Sequence, residues 1–446
     1  MEFGTLSFIL IFMPLLVLIS TCIKDTKIKN IILLIFNMIF IGYYQINYLL
    51  MYIILMLLTY YISRFVKSNK LLLYSYLILI LGILIIFKYY GLINILNKDI
   101  ALNIIIPLGI SFFMFQSIGY MVDVYRSKIN YSDSILEFMV FNSLFATFIS
   151  GPILRYDEVS GYIKERIVSK DDIVYGLERF IIGLAKKVII SNSLALVVSY
   201  SYGFENIYNF QISFLALISF TLQLYYDFSG YSDMAIGLCN MLGFKNIKEN
   251  FNYPYMSKSV SEFWNRWHIS LGRFFKDYVY IPMGGNRCSK LRLVFNLFVV
   301  WILTGIWHGN TILFVIWGLY YFVIIAFEKI LKIPTSISKY YTLIVVSVGW
   351  VLFNSDSLIH AYSILRGLIN FNIIYSYDYF MYSGITYIIP LLVISIIGCT
   401  NIIKKLLNKI KSLNIYMYDI YLLLILFISI ILIINSTFSA SIYFEF

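Results

Sequence analysis

Apolar runs of about membrane-crossing length, separated by short basic breaks, recur along most of the chain. A bilayer core takes roughly 20 helical residues. The first run, 6–23, meets Lys24, Lys27 and Lys29; its flank carries Glu2 and no Lys or Arg, so it reads as a membrane helix rather than a cleaved leader. Two further apolar runs, joined by the uncharged stretch 42–47, lead to Arg64, Lys67 and Lys70. Spans are predicted at 71–87 and 104–122 on either side of the weakly charged stretch 88–103. The run 135–149 is short, ends at Gly151-Pro152 and suits a half-span or re-entrant helix. Further runs lie at 173–202, 210–236, 340–353, 385–397 and 420–434. The pattern predicts an all-α, polytopic integral membrane protein with about eleven transmembrane helices plus re-entrant or interfacial ones. It divides a single domain, 1–446, into N-terminal helices (6–150), a core (173–330) and C-terminal helices (340–436).

The run 293–327, LVFNLFVVWILTGIWHGNTILFVIWGLYYFVIIAF, contains no Asp, Glu, Lys or Arg in 35 residues. That is too long for one ordinary crossing, so it tilts strongly or breaks. Thr304-Gly305 and His308-Gly309-Asn310 are the candidate breaks, because Gly and Asn accept turn conformations. Polar groups at membrane depth are costly and tend to line a cavity. His308 is then either a polar residue buried at a kink or a functional imidazole.

Segment 245–292 differs from the rest. It holds nine Lys and Arg against Glu249, Glu262 and Asp277, with Phe263, Trp264, Trp267, Phe274, Phe275, Tyr278 and Tyr280 interleaved. This is the pattern of an interfacial amphipathic segment. Ser261-Glu262 resembles a helix start, and Pro282 with Gly284-Gly285-Asn286 a turn. His268 lies here, 40 residues before His308. Burial disfavours a charged imidazole, and a neutral one can accept a hydroxyl proton as a general base. Arg266, Arg273, Lys276 and Arg287 can hold a phosphate or pyrophosphate, or simply face lipid headgroups. Asp227 and Asp233, late in an apolar run, either line a polar cavity or cap neighbouring helix ends.

Composition agrees with a membrane protein: 61% hydrophobic, 13% charged, mean hydropathy +0.83. Ordinary soluble domains carry about 25% charged residues. Aromatics, at 19%, suit a large interfacial surface. The net charge of +11 needs no nucleic acid to explain it, since Lys and Arg gather in cytoplasmic loops. By that rule the clusters near residues 24–29, 64–70 and 404–411 are cytoplasmic, and the N-terminus and 436–446 lie outside. Cys22, Cys239, Cys288 and Cys399 have no metal-ligand spacing, and His268, His308 and His360 form no HxxxH pattern, so no metal site is expected. His360, without comparable neighbours, reads as structural, and no phosphate-binding glycine loop or G-x-S-x-G turn occurs.

Six ordered motifs carry a resemblance: FQSIGYMVDVYR (115–126), SGPILRYDEV (150–159), YYDFSGYSDMAIGL (225–238), SEFWNRWHISLGRFFKDYVYIPMGGNR (261–287), LTGIWHGN (303–310) and IYFEF (442–446). With these the chain resembles the membrane-bound O-acyltransferase (MBOAT) family, in its bacterial alginate O-acetylase-like branch. The resemblance implies a ring of helices around a central catalytic tunnel, with His308 as the catalytic histidine and His268 as the second family histidine. It implies acetyl-CoA as donor, its anionic body meeting Arg266, Arg273, Lys276 or Arg287, and Trp307, Asn310, Asp227 and Asp277 as supporting or cavity-lining residues. It further implies O-acetylation of an extracytoplasmic polysaccharide across a bacterial plasma membrane, with a separate SGNH-type acyltransferase as partner. The alternatives are D-alanyl transfer to teichoic acid, which the IPMGGNR ending disfavours, and a non-enzymatic transporter or channel.

Overall fold

The computed structural model of the chain describes residues 2–96, 105–203, 208–331, 334–372 and 379–435. Part of the expected 88–103 loop, the 436–446 tail and the IYFEF motif lie outside the described residues. Every regular element among the described residues is a helix. The chain falls into two compact units: residues 1–180, 232–249 and 273–279 form the first, and 181–231, 250–272 and 280–446 the second.

The first unit begins with α1 (Phe8–Cys22) and α2 (Thr26–Ser63). Asp25 starts α2 by accepting a hydrogen bond from the Ile28 amide at 2.8 Å, a side-chain N-cap. At 38 residues α2 exceeds one crossing, and it breaks at Gln45 (φ −152°, ψ 80°), inside the expected turn. The Gln45 side chain ties the break to the stretch before residue 110: its Nε2 donates to the Ile106 carbonyl at 3.2 Å, and its Oε1 accepts from the Leu108 amide at 3.0 Å. After α3 (Lys70–Leu96) comes α4 (Ile110–Tyr125), buried through all but its last residue. The expected half-span 135–149 is two short helices, α5 (Ile135–Asn142) and Phe145–Phe148, buried against α2. The ring of Phe145 meets those of Phe3, Phe8, Phe12 and Phe40.

The charged stretch after Pro152 forms α6 (Tyr156–Lys164) and opens α7 (Lys170–Tyr202). Several of its charges are paired. Glu158 holds Arg273 and, at 2.8 Å, Lys248, while Arg155 holds Asp277. Burial opposes the charge on Glu158, yet hydrogen bonds from Arg273 and Lys248 outweigh it and keep the carboxyl below its ordinary range.

The second unit is built around tryptophan. Besides the end of α7 and the start of α8 (Phe210–Met241), it holds α9 (Val260–Arg266), the first turn of α10 (Ile269–Phe275), α11 (Lys290–His308), α12 (Ile312–Ile330) and α13 (Ser338–Asn354). All six tryptophans of the chain, Trp264, Trp267, Trp301, Trp307, Trp317 and Trp350, belong to this unit. Trp264 packs edge-on against Trp301 at 5.0 Å and Trp317 at 5.5 Å, and Trp267 lies 4.9 Å from Trp350. The aromatic content taken for an interfacial girdle therefore also fills a core. The unit continues with α14 (Leu358–Gly367), α15 (Tyr379–Gly398), α16 (Ile402–Leu413) and α17 (Ile415–Asn435), with a bend of 77° between α15 and α16.

Among the described residues, seven helices are long and apolar enough to cross a membrane, or eight if the bent α15–α16 pair counts as one span. Sequence patterning suggests about eleven crossings. The shorter apolar runs account for much of the difference: α4 has 16 residues and α13 has 17, below the roughly 20 of a perpendicular crossing.

Candidate active site

The charge-free run 293–327 breaks once, between α11 and α12. His308 is the last residue of α11, and Gly309 continues in extended conformation (φ −169°, ψ 173°). A side chain at Gly309 has no room, since its Cβ would lie 2.1 Å from the Phe314 ring. The other candidate break, Thr304-Gly305, stays helical. Gly305 and Gly318 instead let α11 and α12 touch: a Cβ on Gly305 would meet the Phe314 carbonyl at 2.3 Å, and one on Gly318 the Trp301 carbonyl at 2.4 Å. Close backbone approach at small residues is a general device of membrane helix pairs.

His308 is 5% exposed and boxed by rings. Trp307, Trp317 and Phe353 stand edge-on to it at 4.8, 5.0 and 5.2 Å between centroids. Asn310, just past the break, is exposed.

His268 sits at a second break, between α9 and α10. Trp267 is extended and His268 itself is left-handed (φ +46°), uncommon for a residue with a side chain. The amphipathic segment is thus two short helices hinged at Trp267-His268, with both residues 2% exposed. Its aromatics turn into protein rather than lipid: the Phe228 ring meets His268 at 4.6 Å and Trp307 lies 6.0 Å away. The two histidines thus flank one tryptophan in one aromatic core, although 40 residues separate them in sequence. Burial holds the His268 imidazole down to about 3, so it is neutral at physiological pH.

Helix α9 is placed by capping rather than by lipid. Ser259 accepts from the Glu262 amide at 3.0 Å, and Glu262 accepts from the Lys258 amide at 2.8 Å. Glu328, near the end of α12, accepts from the Val260 amide at 2.6 Å, the Ser261 amide at 3.0 Å and the Ser261 hydroxyl at 2.9 Å. Sequence reasoning missed Glu328, because an acid that ends a charge-free run looks like the water-facing edge of a span. It also missed Asn250, in an unpatterned loop, whose side-chain oxygen lies 3.3 Å from Nδ1 of His268.

The other candidates separate. Asp227 is buried on α8 in an ion pair with Lys187 of α7. Asp277 holds Arg155, and Arg273 holds Glu158; these residues and the exposed Lys276 belong to the first unit. Arg266 is one-third exposed, pairs with Glu262 at 2.7 Å and donates to the Asn252 carbonyl at 3.3 Å. Arg287 is exposed. His360 accepts or donates a 2.9 Å hydrogen bond with the Tyr208 hydroxyl. No group of three or more His, Cys, Asp or Glu suited to a metal ion occurs among the described residues.

A buried imidazole in an aromatic box, with a second buried imidazole in the same core, is an arrangement that can exchange a proton away from bulk water. Comparison with known proteins names the chemistry. A profile of the MBOAT, membrane-bound O-acyltransferase family matches residues 27–340. The chain is 35% identical over 382 residues to the "Probable alginate O-acetylase AlgI" of Pseudomonas syringae pv. tomato, covering 80% of this chain and 73% of that one. It is 29% identical over 422 residues to the peptidoglycan O-acetyltransferase of Helicobacter pylori, covering 83% and 80%. It is 32% identical over 246 residues to the teichoic acid D-alanyltransferase of Bacillus subtilis, covering 51% and 61%. The chain belongs to the membrane-bound O-acyltransferase family and is a multi-pass membrane acyltransferase.

Proposed function

We propose that this protein takes an acetyl group from cytoplasmic acetyl-CoA and passes it across the bacterial plasma membrane for O-acetylation of an extracytoplasmic polysaccharide. The observation that carries this reading is His308, buried at the end of α11 in a ring of aromatic side chains. The O-acetylating relatives, which match 80% or more of the chain, favour acetyl over D-alanyl transfer; the D-alanyltransferase match covers 51%.

In this scheme an acceptor hydroxyl approaches His308 from the outer side. The hydroxyl belongs to the polysaccharide or to a serine of an SGNH-type partner. The imidazole takes its proton, and the oxygen attacks the thioester carbonyl. The carbon–sulfur bond breaks, and the CoA thiolate leaves with the proton held on His308. Asn310 or a nearby backbone amide steadies the oxyanion. Of the four cations expected to meet the donor's phosphates, Arg287, exposed, and Arg266, part-exposed and paired with Glu262, lie in the second unit. Arg273 would first have to leave Glu158.

The test is His308→Ala, with the protein's membrane level measured alongside base-labile acetyl ester on the cell-surface polymer and acetyl transfer from labelled acetyl-CoA. Removing a general base costs on the order of 10²–10⁴-fold, so ester should fall to background at unchanged protein level. Normal acetylation in the variant overturns the reading, and D-alanyl ester in place of acetyl ester moves it to teichoic acid chemistry.

A further inference from the structure

The loop before α9 makes a contact with His268 that decides which of its ring nitrogens carries the proton. Asn250 is 1% exposed. Its side-chain oxygen accepts from the Ser270 amide at 3.1 Å, lies 2.9 Å from the Ser270 hydroxyl, and lies 3.3 Å from Nδ1 of His268. Its backbone carbonyl accepts from the Ile269 amide at 3.0 Å.

The orientation of this amide is fixed by chemistry. A backbone N–H can only donate, so the atom facing the Ser270 amide must be the oxygen of Asn250, not its NH₂. That oxygen can only accept. The ring nitrogen hydrogen-bonded to the same oxygen must therefore donate, which places a proton on Nδ1. A neutral imidazole carries one proton, so Nε2 keeps its lone pair. Burial excludes the doubly protonated ring at physiological pH. The same asparagine also holds the backbone. His268 sits in the left-handed region, a strained conformation for a residue with a side chain. Asn250 receives hydrogen bonds from both of the next two residues, Ile269 and Ser270.

We infer that Asn250 is a positioning residue: it holds the neutral His268 ring as the Nδ1–H tautomer and so makes Nε2 the nitrogen that accepts a proton or a hydrogen bond from the reacting groups. That His268 serves acyl transfer rests on the function proposed above; the tautomer does not.

The experiment is nitrogen NMR on detergent-solubilised full-length protein with ¹⁵N in its histidine rings, at pH 7.5. The chain has three histidines, so His308→Gln and His360→Gln assign the His268 signals by subtraction. The expected spectrum for His268 has a protonated, pyrrole-type Nδ1 and a pyridine-type Nε2. A protonated Nε2, or an equal mixture of tautomers, overturns the inference. Wild-type protein suffices for this reading, so it survives any folding failure of a variant. Asn250→Asp keeps an acceptor for both donors and should retain the tautomer, with kcat within about tenfold of wild type. Asn250→Leu removes the acceptor and should lower kcat on the order of 10²-fold, with the KM for acetyl-CoA nearly unchanged. Equal activity in Asn250→Leu and Asn250→Asp removes Asn250 from the chemistry. The tautomer is read without substrate, so an inactive enzyme class and a wrong tautomer give different results.

Discussion

At His268 the price of burial has a measurable form. In an unfolded chain an exposed imidazole titrates near its ordinary 6.5, whereas in the folded protein burial holds it down to about 3. Between those values the unfolded chain binds a proton that the folded protein refuses. Stability from this group is therefore full above pH 6.5 and falls as the pH drops toward 3. A difference of this size amounts to about 5 kcal/mol at the low end. The unfolding midpoint of the detergent-solubilised protein should fall between pH 6.5 and 4, and His268→Gln should flatten that slope. Parallel slopes in the two proteins would show that His268 is hydrated in solution. The residue scale is also where the sequence was hardest to read. Its left-handed backbone is hidden, because no glycine or asparagine stands at position 268 to announce it.

At the scale of elements, α9 is short, only seven residues, and a helix of that length needs tertiary support. It nonetheless carries Trp264 into the tryptophan core and leads directly to Trp267 and His268. Its support is Glu328, whose two oxygens take three first-turn donors. A carboxylate there also complements the helix dipole. Glu328→Gln replaces one acceptor oxygen with a donor facing another donor, which costs about 1–3 kcal/mol. The variant should unfold at lower temperature and lose acyl transfer, while Glu262→Gln, altering a more exposed cap, should do less. An unchanged midpoint and unchanged activity in Glu328→Gln would mean that α9 is held by its aromatics alone. Two glycine sites in one apolar run teach the matching lesson about legibility. That the run 293–327 must break follows from its length and lack of charge, both visible in the chain. Which glycine makes the break is not visible: the helix ends at the extended Gly309, while Gly305 stays helical and lies against α12. Only the partner helix distinguishes them.

For the whole molecule, the pattern of apolar runs and basic breaks read well as a helical membrane protein, and the ordered motifs as an acyltransferase family. What they hid was destination. Basic and aromatic residues in 245–292 look the same in sequence whether they face headgroups or protein, and here Phe263, Trp267, His268 and Phe274 are buried, while Arg273 is spent on Glu158. Orientation remains the property most directly tied to function, because a donor on one side and an acceptor on the other define transfer across the membrane. The bias of Lys and Arg toward the cytoplasmic face is the sequence's guide to it. Cys22 is exposed at the end of α1, two residues before Lys24 and close to Lys27 and Lys29. Replacing Cys239, Cys288 and Cys399 by Ser leaves it as the single thiol of the chain. In intact cells a membrane-impermeant maleimide should leave Cys22 unmodified, a permeant maleimide should label it, and breaking the cells should open it to both. Labelling of intact cells by the impermeant reagent would place the 24–29 cluster outside. The basic breaks that follow the same rule, and the cytoplasmic supply of acetyl-CoA proposed for the histidines, would then have to be inverted together.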